Sequence, residues 1–134
     1  DGDLDAAIGD GHAIAVVAGG LAHPRNTTSM SAQVRIGIIG AGLVSDFHHV
    51  PGINLDPRAK LVAVCDPNQA LLDQRNREWG PVKYTTSYEE VANDPDVDAV
   101  IIATPNFTHK PITLACVAGG KHVMAEKPLG LNFV

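Results

Sequence analysis

The sequence predicts an α/β protein built on a doubly wound parallel sheet. Three observations predict it. From Val34 onward, short apolar runs alternate with stretches of helical periodicity. Two of the runs, "KLVAVCD" and "DAVIIATP", are continuously apolar, as strands buried on both faces must be. A glycine-rich turn, "GAG", sits where the first of these runs passes into a helical pattern.

The elements follow in order. "VRIGIIG" reads as a strand, and "LVSDFHHV" after it as a helix with Leu43, Val44, Phe47 and Val50 on one face. "KLVAVCD" is the second strand. "PNQALLDQRNREWG" is a helix with Pro67 suited to the first turn and Gly80 to the position past its end. "VKYTT" is a short strand. "SYEE" is a capping box, Ser87 as N-cap with Glu90 reaching back. "DAVIIATP" is the fourth strand, and "THKPITLACVAGG" a helix with Pro111 in its first turn and a glycine stop. "KHVMAEKP" is the fifth strand, and "LGLNFV" has the look of a helix start. Right-handed crossovers place these strands in the order 3-2-1-4-5. Such sheets bind ligands beyond the carboxyl ends of the strands, where the order reverses, here between the first and fourth.

Composition narrows the function. The 134 residues suffice for one domain with a core, and 45% are hydrophobic. The net charge is −5 and no Lys/Arg cluster appears, which argues against a nucleic-acid groove. No apolar run approaches the ~20 residues of a membrane span. Cys65 and Cys116 each lie within an apolar run, the pattern of buried reduced thiols in a cytoplasmic protein rather than of a disulfide scaffold. No Cys/His/carboxylate spacing suggests a metal site. Residues 1–30 read differently: Asp1, Asp3, Asp5 and Asp10 stand against Arg25 alone, among many Gly and Ala. With Met30 as a natural start, residues 1–30 are expected to be a disordered or non-native leader. The alternative is a weak strand or helix at 13–18. Residues 31–134 are then the folded domain.

The chemistry-bearing residues gather at the predicted carboxyl edge. Gly40-Ala41-Gly42-Leu43-Val44-Ser45 nearly fits G-x-G-x-x-G: Gly40 for the tight turn, Gly42 for close approach of a pyrophosphate, and Ser45 in place of the third glycine. The N–H groups from about Leu43 onward would face the anion. Asp66 lies 21 positions after Ser45, at the end of the second strand, where a carboxylate accepts from a ribose diol and repels a 2′-phosphate; NAD is then favoured over NADP. Asp66 also reads as a helix cap, and neither reading excludes the other. Thr104, Pro105 and Asn106 close the fourth strand, either as an ordinary turn capped by Thr108 or as a lining of the crevice. His109 is equally a surface histidine or part of that lining. Glu126 and Lys127 end the fifth strand. On spacing alone they are a surface ion pair, although an ammonium there could polarise a carbonyl. His48 and His49 read as solvated or packed.

Together, "IGIIGAG", "VAVCDPN", "VDAVIIATPNFTH" and "GKHVMAEKPLG" resemble the Gfo/Idh/MocA oxidoreductases, from about Val34 to the end of the chain. The resemblance implies an N-terminal Rossmann domain and, in the whole protein, a C-terminal α/β domain that carries most of the substrate site and often mediates homo-oligomer formation. It implies hydride transfer between NAD(P) and a sugar, cyclitol or related polyol. It assigns Gly40, Gly42, Leu43 and Val44 to the phosphate turn, Asp66 to the ribose, and Thr104, Pro105, Asn106 and His109 to the cofactor lining. It moves Lys127, beside Glu126 in the E-K-P motif, from surface pair to catalytic residue near nicotinamide and substrate. A rival reading is a dinucleotide-binding module, or a fragment, without turnover.

Overall fold

The computed structural model describes residues 4–9, 12–17 and 32–127. Its sheet has seven strands: β1 (Leu4–Gly9), β2 (His12–Val17), β3 (Val34–Ile39), β4 (Ala59–Cys65), β5 (Lys83–Thr85), β6 (Ala99–Ile102) and β7 (His122–Ala125), in the order β1-β2-β7-β6-β3-β4-β5. The strands from β3 to β7 are mutually parallel and realise the expected 3-2-1-4-5 order. Order reverses between β3 and β6, which are neighbours in the sheet.

Two stretches inside the expected leader, residues 4–9 and 12–17, are strands, the second overlapping the alternative weak strand or helix at 13–18. β1 and β2 pair antiparallel, and β2 pairs antiparallel with β7 through Ala15–Ala125 to Val17–Val123. The reason is an open edge: parallel pairing satisfies β7 on the β6 side only, and its outer backbone groups can accept another strand. The "LGLNFV" segment lies outside the described residues.

Both faces of the parallel sheet are buried. Side chains alternate, so Ile38 packs with Val50, Ile53, Val64, Leu72 and Ile101, while Ile39 packs with Val91, Ile102, Ile112 and Cys116 on the other face. The first layer is covered by α1 (Val50–Leu55) and α2 (Gln69–Trp79), the second by α3 (Tyr88–Ala92) and α4 (His109–Ala118). Cys65 and Cys116 are buried free thiols, as expected. Burial pushes the Cys65 thiol up to about 12 and the Cys116 thiol up to about 11.

The first helix is not the simple amphipathic helix that a 3.6-residue period suggests. Helical backbone runs over 43–55, but Ser45–His49 is a π-turn in which the Val50 N–H donates to the Ser45 carbonyl, five residues back. The buried side chains are therefore Ser45, Val50 and Ile53, whereas Leu43 is 67% and Phe47 66% exposed, with Val44 half exposed. The expected apolar face Leu43–Val44–Phe47–Val50 is split by the inserted residue, and only Val50 reaches the core.

Three end signals also resolve differently. Pro67 lies before α2, whose N-cap is Asn68, with its side chain accepting from the Leu71 N–H. Ser87 occupies the N-cap of α3, but no capping box forms: its hydroxyl donates to Glu89, and Glu90 accepts from the Thr85 hydroxyl. Thr108 precedes α4 and gives its hydroxyl to the Pro105 carbonyl or Thr104 Oγ1 rather than capping the helix. The Ser87 and Thr108 hydroxyls each donate to an acceptor close by in sequence.

Candidate cofactor site at the carboxyl edge of the sheet

Backbone pairing continues one step past the strand ends. The Gly40 N–H donates to Cys65, that of Asp66 to Thr85, that of Ala103 to Ile39 and that of Glu126 to Ile102. Gly40, Asp66, Ala103 and Glu126 are thereby held in a row along the carboxyl edge, across the point where strand order reverses.

The glycines of this region have separate reasons. Gly37 is a packing residue outside the turn: a Cβ there would stand 2.8 Å from the Val91 methyl of α3. Gly40 has φ +104°, and a Cβ would fall 2.4 Å from the Ala103 carbonyl oxygen, so no side chain fits. Gly42 is the opposite case, since a Cβ would meet nothing within 4 Å. The protein itself does not require glycine there, and the open space suits a group approaching from outside. Ser45, fully buried, donates its hydroxyl to the Gly40 carbonyl at 2.6 Å and closes the helix onto the turn. The helix then begins at 43 with exposed Leu43 and Val44, whose N–H groups belong to the first turn and have no acceptor within the helix.

Asp66 is half-buried beside this turn. One carboxylate oxygen accepts the Ala41 N–H at 2.9 Å, the other the Asn68 N–H at 2.9 Å. Across the reversal point, Thr104 is half-buried, and Pro105 and Asn106 are exposed. His109 is not a surface histidine: it is 1% exposed, and its Nε2 lies 2.7 Å from the Thr104 carbonyl. A carbonyl only accepts, so Nε2 carries the proton and ties α4 to the 104–106 loop from behind. Lys127 is exposed just past β7. The structure therefore brings Gly40, Gly42, Leu43, Val44, Asp66, Thr104, Glu126 and Lys127 to one edge, with Pro105 and Asn106 at its rim and His109 beneath it.

Two participants escaped the sequence reading. His49 Nε2 lies 2.8 Å from Glu126 Oε1, a close approach of the π-turn to the end of β7. Arg75 is buried behind the glycine turn. The available signal for Arg75 was its place on the apolar face of α2, three residues after buried Leu72.

Residues 34–133 match the oxidoreductase family with an NAD-binding Rossmann fold, Gfo/Idh/MocA. The chain belongs to this family. Over 103 residues it is 39% identical to the NAD-dependent scyllo-inositol 2-dehydrogenase of Bacillus subtilis, covering 77% of this chain and 30% of that protein. Its fold superposes on scyllo-inositol dehydrogenase from Lactobacillus casei with bound NAD(H) and scyllo-inositol, with a TM-score of 0.69 and 32% identity over 75% of this chain and 29% of that one. It also superposes on a 3-ketoreductase from Actinomadura kijaniata in complex with TDP-benzene and NADP, with a TM-score of 0.68 and 26% identity over 73% of this chain and 30% of the other. This Gfo/Idh/MocA chain thus spans about 30% of the length of the relatives it matches. The resemblance seen in its motifs is a family membership, and its relatives include inositol dehydrogenases as well as an α-N-acetylgalactosaminidase from Shewanella oneidensis, 36% identical over 74% of this chain and 23% of that protein. Among the described residues no His/Cys/Asp/Glu group could hold a metal ion, and no helix is long and apolar enough to cross a membrane.

Proposed function

We propose that this chain is the NAD-binding part of a dehydrogenase that oxidises a secondary alcohol of a sugar, cyclitol or related polyol, or reduces the corresponding ketone. One observation carries the reading: an open glycine turn at Gly42 stands beside the Asp66 carboxylate, on the same sheet edge as Lys127. These residues fit a dinucleotide. Gly42 leaves room for a pyrophosphate, the first-turn N–H groups of Leu43 and Val44 supply donors, and Asp66 supplies an acceptor for a ribose diol. Thr104, Pro105 and Asn106 line the cofactor across the crevice, with His109 fixing their loop.

NAD, when bound, accepts or returns the hydride. The chain's own part is to bind, orient and polarise. Asp66 selects NAD over NADP, because its carboxylate repels a 2′-phosphate and accepts from a 2′-hydroxyl. Lys127 holds its ammonium near the oxygen whose charge changes during the reaction. Glu126, whose N–H donates to the Ile102 carbonyl, anchors the segment that carries Lys127. The inositol dehydrogenases among the relatives support the polyol class.

The test is a titration of this chain with NAD and NADP, followed by assays of NAD reduction by the whole protein that contains it, with a panel of cyclitols and sugars. Tighter binding of NAD than of NADP and turnover of a polyol are expected. Binding without turnover of any polyol or sugar would favour the non-catalytic module, and tighter NADP binding would remove the role given to Asp66.

A further inference from the structure

The polar backbone groups of residues 40–42 are nearly all committed within the protein. The Gly40 N–H goes to Cys65 and the Gly40 carbonyl accepts from Ser45 Oγ. The Ala41 N–H goes to Asp66 and the Gly42 carbonyl accepts from the Asp46 N–H at 3.1 Å. The Ala41 carbonyl accepts from Arg75 Nε at 2.9 Å. Only the Gly42 N–H is left without an acceptor among the described residues. All three carbonyls, the negative ends of these peptides, are thus tied away from the open side of the turn.

Of these ties, the one from Arg75 comes from outside the βαβ motif's own consensus and demands the most. The Arg75 side chain is 5% exposed and lies 34 residues from Ala41 in sequence. A buried guanidinium is costly unless its donors are paired. Here Nη1 meets Asp46 Oδ2 at 3.2 Å and Glu78 Oε2 at 2.6 Å, and the cation stacks 5.0 Å from the Trp79 ring centroid. Trp79 Nε1 donates in turn to Asp46 Oδ1 at 2.9 Å. The planar fork of Arg75 therefore grips both the turn, at Ala41, and the π-turn, at Asp46, with α2 as its base. An apolar residue would fill this place with less desolvation, but it could not hold the Ala41 carbonyl.

We infer that Arg75 is a positioning residue of the pyrophosphate turn: it holds the Ala41 carbonyl inward so that the Gly42 N–H and the first helical N–H groups face the cofactor's phosphates. This inference rests on the dinucleotide reading above. It predicts a selective defect. Loss of Arg75 weakens ligands that carry a pyrophosphate and spares the adenosine portion, whose recognition falls to Asp66 and its neighbours.

The experiment compares ADP and adenosine binding by calorimetry in the full chain and in its Arg75→Met and Arg75→Lys variants. ADP affinity is expected to fall about tenfold in both variants, the scale of a lost hydrogen bond from a charged donor, while adenosine affinity changes less than about threefold. Lysine keeps the charge but cannot fork between the Ala41 carbonyl and Asp46. If Arg75→Met does not fold, Arg75→Lys alone decides. Unchanged ADP affinity, or equal losses for ADP and adenosine, would show that Arg75 only stabilises the fold and would overturn the inference. A native chain that binds neither NAD nor ADP would instead overturn the dinucleotide reading itself, and this inference with it.

Discussion

Asp66 Oδ2 accepts the backbone N–H of Ala41 at 2.9 Å, across 25 residues of sequence. The residue proposed for the ribose is therefore also a strut of the glycine turn proposed for the phosphates, and one carboxylate would join the two halves of that site. Replacing Asp66 acts on both.

Asp66→Ser is expected to weaken NAD binding by about tenfold and to narrow the preference for NAD over NADP, because the repelling charge goes together with the diol acceptor. Fluorescence titration with both cofactors measures it. A variant that keeps the native NAD affinity and the native preference would show that Asp66 is a turn residue only.

Gly40 and Gly42 should separate stability from binding. Gly40→Ala places a Cβ 2.4 Å from the Ala103 oxygen at a φ of +104°, and a loss of about 2–4 kcal/mol in denaturant unfolding is expected. Gly42→Ala meets nothing within 4 Å, so stability should stay within about 0.5 kcal/mol while NAD affinity falls at least about tenfold. Normal NAD binding in folded Gly42→Ala would leave that open space without a ligand.

In the whole protein that contains this chain, Lys127→Ala is expected to lower kcat by about two orders of magnitude or more, with NAD affinity changed by less than about tenfold. Its help acts where charge develops, not on the bound cofactor. Steady-state kinetics and a parallel cofactor titration check it. Near-normal turnover would return Lys127 to the role of a surface ion-pair residue.

The buried thiols predict a pH dependence with a definite sign. Burial raises Cys65 to about 12 and Cys116 to about 11 from an ordinary 9.0. Below the ordinary value both folded and unfolded thiols are neutral and the full stability is present; it is lost as pH rises toward the folded values, because only the unfolded chain ionises. The melting midpoint should fall above about pH 9, and less steeply in the Cys65→Ala/Cys116→Ala double variant. Near pH 8, neither thiol should react with a maleimide until the chain is denatured.

A chain beginning at Met30 tests the leader. β2 pairs with β7 over three residue pairs, while β7 is held on its other side by four pairs to β6. Loss of the hairpin is expected to lower the melting midpoint by a few degrees, about 1 kcal/mol, and to leave NAD affinity unchanged within about threefold. A collapse of binding would make residues 1–29 part of the cofactor-binding unit.

The order of the five parallel strands, the place of the glycine turn and the position of Asp66 at a strand end were determined by sequence alone. Each rests on local signals: an apolar run, a helical period, a glycine where a strand meets a helix. Membership of the family rests on four such segments in order. Tertiary structure decided what local pattern cannot encode. The π-turn at Ser45–His49 inserts one residue into a helical period and turns Leu43 and Phe47 outward. His109 is read as exposed or lining until α4 packs it under Thr104. Gly37 and Gly42 look alike in sequence, yet one faces Val91 and the other open space. Arg75 looks like any helical cation until the fold brings Ala41, Asp46 and Trp79 around it from elements up to 34 positions away. A side chain's partners are set by which elements cross it, and that information is spread over the whole chain rather than held near the residue.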